Sequence, residues 1–162
     1  MEMMFSLTEQ PRILLDLLYR LADVLSPAWP LIASVLAGAM VGLEREYANK
    51  PAGLRTNMLI CVGSCLYCIM SVEVGLDPSR IAAQVVSGVG FIGAGAILRI
   101  DQHITGVTTA ATIWLVAAIG MALGFGHIGL GLSIAFLTTI VLFILGRFEF
   151  GMIDVNHEDS SN

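Results

Sequence analysis

The sequence predicts an all-α membrane protein: a five-span transmembrane helical bundle preceded by an amphipathic N-terminal helix. Three observations carry that prediction. The 162 residues are 56% hydrophobic and only 13% charged, with a mean hydropathy of +0.83, outside the balance of a soluble globule. Five windows lack Asp, Glu, Lys, Arg and His: 24–43, 56–72, 81–98, 104–126 and 128–146. Each has the length of a helix crossing a bilayer. Strand-period alternation is absent, which disfavours a β-barrel. The length fits one domain, divided here into an N-terminal segment (1–26), a five-span membrane domain (27–147) and a polar, disordered tail (148–162).

Within the first segment no basic start precedes an apolar run, so no cleavable signal peptide is expected. From Pro11 to Leu25 the apolar residues follow a helical period, with Arg12, Asp16, Arg20 and Asp23 opposite. Such a helix lies in the interface or packs on the end of the bundle. Pro27 and Pro30 mark a turn, with Trp29 as an interfacial anchor.

The first span ends in Gly38 and Gly42, a G-x-x-x-G that lets another helix approach closely. The connection from Glu44 to Arg55 holds Arg45, Lys50 and Arg55, the densest basic cluster in the chain. By the positive-inside rule it is cytoplasmic, which puts the N-terminus outside and the C-terminus inside. The second span carries Cys61, Cys65 and Cys68 on one helical face. Thiolates there would suit a soft metal, but free cysteine also packs as a small hydrophobe, and packing is the expectation. Three cysteines do not make a disulfide framework.

The third span, within Asp77 to Arg99, is expected to be the centre of the bundle. It contains Gln84 and four glycines, Gly88, Gly90, Gly93 and Gly95, each costing about 1 kcal/mol in a helix relative to alanine. Ala83, Ser87, Gly90 and Ala94 share a face, so neighbours are expected to press against it. Gly88, Gly90 and Gly93 also spell G-x-G-x-x-G. A dinucleotide fingerprint needs a strand before it and a βαβ pattern around it, and neither is present. Asp77 either caps this helix or pairs with Arg80.

Asp101 to Thr105 reads as a short inner loop. Thr108, Thr109 and Thr112 then open the fourth span, where their hydroxyls either cap the helix or line a polar site. His103 and His127 fall on opposite sides of the membrane and cannot share a metal. The fifth span is expected to be lipid-facing scaffold.

Three segments together resemble the MgtC/SapB family of bacterial inner-membrane proteins. They are Gly42-Leu43-Glu44-Arg45-Glu46 running to Lys50-Pro51-Ala52-Gly53-Leu54-Arg55-Thr56, the stretch from Asp77 to Gly95, and Gly106-Val107-Thr108-Thr109-Ala110-Ala111. The resemblance implies a five-span domain with its N-terminus outside, in the bacterial inner membrane. It also implies a role in magnesium homeostasis and in the response to low-magnesium or acid stress. In some members it implies restraint of the proton-driven ATP synthase, and direct magnesium transport has been proposed for the family. The short remainder after Arg147 implies that the cytoplasmic C-terminal domain of longer members is missing.

Ionisable groups in or beside spans are expensive and mark pathways or pairs. Glu44, Arg45, Arg55, Asp77, Arg80, Gln84 and Thr108 are therefore the candidate ion or polar site, with Glu44 and Arg55, or their neighbours, expected to pair across their loop. Gly38, Gly42, Ser87, Gly88, Gly90, Gly93 and Gly95 are the candidate packing residues. Magnesium takes oxygen ligands and keeps several waters, so Glu44, Gln84 and Thr108 would suffice if they converge. No resident cofactor is expected; magnesium enters as a transported or sensed ion.

The expected function is regulation of, or partnership with, other membrane proteins, including itself as a homodimer. The alternative is a magnesium or proton carrier with a polar site among spans one, three and four. No catalytic triad spacing, metal-ligand cluster or phosphate-cradling loop points to an enzyme. No basic cluster points to nucleic acid.

Overall fold

A computed structural model of the chain describes residues 28–75, 77–100 and 103–158, together with Leu15, which is helical and exposed. The expected amphipathic helix from Pro11 to Leu25 otherwise lies outside the described residues. Five helices and one small hairpin make up the described fold: α1 (Ala28–Tyr47), α2 (Leu54–Glu73), α3 (Pro78–Gly95), β1 (Leu98–Ile100), β2 (His103–Thr105), α4 (Val107–Gly124) and α5 (Ile128–Glu158).

Three of the helices, α2, α4 and the Ile128–Arg147 portion of α5, are long and apolar enough to cross a membrane. The chain is a membrane protein. Helices α1 and α3 have 20 and 18 residues, about the length needed, but carry more polarity: Glu44, Arg45 and Glu46 in one, Arg80 and Gln84 in the other.

Three helix termini carry recognisable chemistry. After α1, Asn49 adopts a left-handed φ of 51° and the Lys50 amide donates to the Arg45 carbonyl at 2.9 Å. Asparagine tolerates this conformation, and the longer backbone bond satisfies a carbonyl that the helix leaves open. Gly126, with φ of 83°, repeats the arrangement after α4. There the His127 amide donates to the Ala122 carbonyl at 2.9 Å. Asp77 caps α3, accepting from the Ser79 amide at 3.0 Å and from Ser79 Oγ at 2.8 Å, with Pro78 in the first turn.

The core is built by α1, α2 and α4, which pack on one another; α5 covers α1 and α4. Its residues from α1 and α2 are small, Ala33, Ala37 and Val41 from the one and Cys61 and Cys65 from the other, and α4 fills in with Val116, Ile119 and Leu123. Small side chains let the backbones close up, which is the main source of helix association where lipid removes the hydrophobic drive. A methyl group added at Gly38 would stand 2.8 Å from the Cα of Met58, and one at Gly42 would stand 2.7 Å from the Cα of Leu54. The G-x-x-x-G of the first span therefore does what its spacing predicts.

The expectation for α3 is overturned. It stands at the edge of the bundle, packed mainly on α4 and less on α2. Val85 and Val89 face inward, while Ala83, Gln84, Ser87, Gly88, Gly90, Ala94 and Gly95 are exposed. Of the four α3 glycines only Gly93 is buried, with the Ala110 carbonyl 3.4 Å from the position of its missing Cβ. The physical reason is that the valine stripe, not the small-residue stripe, seeks the α4 surface, forming a second cluster with Ile113 and Ala117.

Two boundaries also differ from expectation. The third helix stops at Gly95, and Leu98–Ile100 pairs antiparallel with His103–Thr105, where the sequence reads as the end of a span and a loop. Gly106 permits the turn out of the hairpin: its φ is 86°, and a Cβ there would collide with the Ala96 carbonyl. The last helix runs to Glu158, well into the stretch expected as a disordered tail.

Candidate polar site and groove

Polar chemistry concentrates at the end of the bundle where α1 meets α2. Arg45 lies on the same face of α1 as Gly38 and Gly42, so the close approach of α2 carries it inward. Its side chain is 3% exposed and that of Glu44 8%. Arg45 Nη2 donates to Glu44 Oε1 at 2.7 Å, and Arg45 Nε donates to Glu44 Oε2, a bidentate pair between chain neighbours. A charge removed from water this far persists only with a partner, and each of these groups supplies it to the other.

The link across the α1–α2 loop runs between neighbours of Glu44 and Arg55, not between those two residues themselves. Glu46 Oε2 accepts from the Leu54 amide at 2.8 Å, satisfying one of the open donors at the start of α2. Arg55 is exposed, and Glu44 turns to Arg45. Asn57 secures the same loop from inside: its Nδ2 donates to the carbonyls of Ala52 at 2.7 Å and Gly53 at 2.9 Å. Asn57 Oδ1 and Ser71 Oγ are buried without a hydrogen-bond partner among the described residues.

The other sequence-nominated residues are dispersed. Asp77 is spent on capping, with its carboxyl held below the ordinary value by hydrogen bonds from Ser79 Oγ and the Ser79 amide. Arg80 and Thr108 are exposed. Thr109 and Thr112 are buried, and Thr112 Oγ1 returns to the Thr108 carbonyl at 2.8 Å, so it neither caps the helix nor faces a shared cavity. The N-cap of α4 is Gly106, without a side-chain bond. Among the described residues no group of three His, Cys, Asp or Glu is placed to hold a metal ion.

Gln84 opens onto a groove of about 620 Å³ between α2 and α3. Leu59, Gly63 and Tyr67 form one wall, and Gln84, Gly88 and Ile92 the other. Neither Glu44 nor Thr108 lines it. The three oxygens whose convergence a magnesium site would need thus belong to different surroundings.

The cysteine face is sandwiched. Cys61, Cys65 and Cys68 are fully buried and reduced. They meet α1 at Gly38 and α4 at Gly120 and Gly124, where an added Cβ would fall on the carbonyls of Cys61 and Cys65. This second close contact was legible as Gly120-x-x-x-Gly124 and was not singled out from the sequence.

Comparison with known proteins adds a lineage to this geometry. A family model described as "MgtC family" matches residues 31–150. "Putative magnesium transporter YhiD" of Escherichia coli K12 is 47% identical over 137 residues, covering 78% of this chain and 64% of that protein. "Protein MgtC" of Salmonella typhimurium is 46% identical over 98 residues, covering 60% of this chain and 42% of that protein. "Protein SapB" of Bacillus subtilis is 46% identical over 104 residues, covering 57% and 45%. The chain thus spans less than two thirds of the length of these curated relatives. No solved structure matches.

Proposed function

Because the chain belongs to the MgtC family, we propose that it serves magnesium and acid-stress homeostasis in the bacterial inner membrane, acting as a regulator or partner of other membrane proteins. In this reading all five helices cross the bilayer, the N-terminus lies outside, and the α1–α2 loop with Arg45, Lys50 and Arg55 faces the cytoplasm. The protein works by contact, without catalysis.

One observation carries the reading. The small-residue face of α3 points out of the bundle, and among the described residues nothing lies within 4 Å of where a Cβ would stand on Gly90 or Gly95. Glycines inside this chain's own contacts are explained by those contacts; these are not. Their helix cost of about 1 kcal/mol each is offset if another membrane helix seats there. A second copy of the chain is the simplest such helix, giving a homodimer about an axis along the membrane normal.

A carrier reading is favoured by the name of the Escherichia coli relative, "Putative magnesium transporter YhiD". The dispersal of Glu44, Gln84 and Thr108, with Glu44 already engaged by Arg45, weighs against a carrier built on those three.

Liposome flux separates the two. In the partner reading, purified protein moves neither magnesium nor protons, and a co-purifying partner or second copy is lost on Gly90→Leu. Flux that disappears on Glu44→Gln or Gln84→Ala would overturn it in favour of transport.

A further inference from the structure

The groove between α2 and α3 has two walls of matching chemistry. The helices are joined by the short connection 74–77 and so run antiparallel, which puts residues equally far from that connection at one level. Six residues back from Glu73 is Tyr67, and six on from Pro78 is Gln84. Ten residues reach Gly63 and Gly88, and fourteen reach Leu59 and Ile92; all six line the groove. At 1.5 Å per residue the three levels lie about 9, 15 and 21 Å from the connection. Each wall thus presents a polar, then a small, then a large apolar residue, in the same order. Ser64 adds a hydroxyl to the α2 wall, and Ile60, Ile81, Val85 and Val89 belong to the apolar cluster beneath.

The present separation leaves this match unused. Among the described residues nothing lies within 4 Å of the Cβ position of Gly63 or Gly88, so alanine at either would favour the helix and touch no neighbour. Gln84 and Tyr67 are exposed, and a polar group in hydrocarbon is costly without a partner. Close approach at small residues and hydrogen bonds between polar side chains are what hold membrane helices together. Both devices stand on both walls. Helix α3 is held mainly by α4, with Val85 and Val89 against Ile113 and Ala117 and with Gly93 against Ala110, and only lightly by α2.

We propose that the groove is the open position of a two-position element, and that α3 rolls on α4 to close against α2. In the closed position the backbones meet at Gly63 and Gly88, the Gln84 amide donates to the Tyr67 hydroxyl, and Leu59 packs on Ile92. Each wall is covered by the other. The rest of the core stays in place, because its close contacts at Gly38, Gly42, Gly120 and Gly124 are already made. Closure rests on α3 crossing the bilayer, as proposed above, and needs no partner.

The test is pulsed electron–electron double resonance on the full chain in nanodiscs, with spin labels at Arg55→Cys and Ala94→Cys, exposed positions toward the far ends of α2 and α3. Labelled chains are diluted with unlabelled ones so that only separations within one chain are read. The native thiols are fully buried, and the unchanged protein serves as the blank. Two separations are expected. Gly88→Leu and Gly63→Leu should each remove the shorter one, and Gly90→Leu on the outer face should leave both. Gln84→Leu should lower the ratio of short to long about threefold, the effect of one hydrogen bond between membrane helices. Circular dichroism of each variant shows that the helices persist; if Gly88→Leu does not fold, Gly63→Leu and Gln84→Leu decide alone. A single separation in the unchanged protein, a short one that survives the filled groove or is indifferent to Gln84→Leu, or one equally lost on Gly90→Leu would overturn the proposal. A further label at Phe91→Cys, probed with oxygen and a water-soluble nickel chelate, keeps the two failures distinct. Contact with the chelate overturns the crossing of α3 and closure with it, whereas a single separation beside an oxygen-exposed label overturns closure alone.

Discussion

Substituting Gly120 with alanine tests the packing argument most directly. The added Cβ would stand 2.2 Å from the Cys61 carbonyl oxygen and 3.0 Å from Ser64 Cβ. Ordinary contact begins near 3.4 Å, so α4 must retreat from α2 by about 1 Å. A gap of that size forfeits a quarter to a half of each atom–atom attraction across the contact. With 40–60 contacts of about 0.1–0.2 kcal/mol per buried side chain, each of the α2 residues facing α4 loses on the order of 1–2 kcal/mol. Partial relaxation brings the total to about 2–3 kcal/mol, in line with overpacked cores, or a roughly 30- to 150-fold shift of the folding equilibrium. Gly90→Ala is the matched control. Within a single chain it meets nothing among the described residues, so at protein-to-detergent ratios that keep the protein monomeric it should be neutral or stabilising by up to about 1 kcal/mol. Reversible unfolding by SDS in mixed micelles, followed by circular dichroism, measures both. Gly120→Ala as stable as the unchanged protein, or Gly90→Ala as damaged as Gly120→Ala, would refute the assignment of inner and outer glycines.

Other outcomes follow from the α1–α2 junction and the α3 cap. Glu44→Gln strands the Arg45 guanidinium without its counter-charge and should cost about 3 kcal/mol in the same assay; the double variant with Arg45→Met should recover most of that, since a neutral pair needs no partner. Glu46→Ala exposes the Leu54 amide and should cost about 1 kcal/mol, whereas Glu46→Gln, which keeps an acceptor, should cost less. Asp77 has a folded pKa below its ordinary value, so its contribution is complete above 3.8 and is lost only as pH falls through the lowered folded value. The difference in stability between the unchanged protein and Asp77→Asn should therefore be flat at neutral pH and shrink only below 3.8; a difference already shrinking at neutral pH would contradict the Ser79 hydrogen bonds as its source.

The helices, the Gly38–Gly42 contact and the Asp77 cap could be read from the chain because each rests on local chemistry: span length, a four-residue glycine spacing, and an acid two residues before a serine amide. The side of α3 that faces inward could not. In water, polarity separates core from surface, but lipid is as apolar as valine, so an inward Val85–Val89 stripe and an outward Ser87–Gly90 stripe look alike in sequence. A small-residue ridge marks a place of close approach and is silent on whether the approaching helix belongs to the same chain.

The polar site shows a related limit. Glu44, Gln84 and Thr108 attracted notice because each is polar at membrane depth, yet their convergence depends on depth and on rotation about three axes. Burial of Arg45 was equally hidden, since nothing in Glu44-Arg45-Glu46 distinguishes the acid that pairs with Arg45 from the acid that reaches Leu54. The hairpin at Leu98–Thr105 escaped because its three-residue strands lie beside uncharged windows and mimic span ends.

The sandwiched thiols of α2 have a practical consequence. A membrane-permeant alkylating reagent meets no sulfur while α1 and α4 stay closed over Cys61, Cys65 and Cys68, so every adduct records a moment when the layers parted. The Cys68 side chain packs at Gly124 of α4 and the Cys61 side chain at Gly38 of α1, so the order in which their adducts appear tells which seam opens first. The chain carries its own clock for breathing, wound by the same glycines that hold it shut.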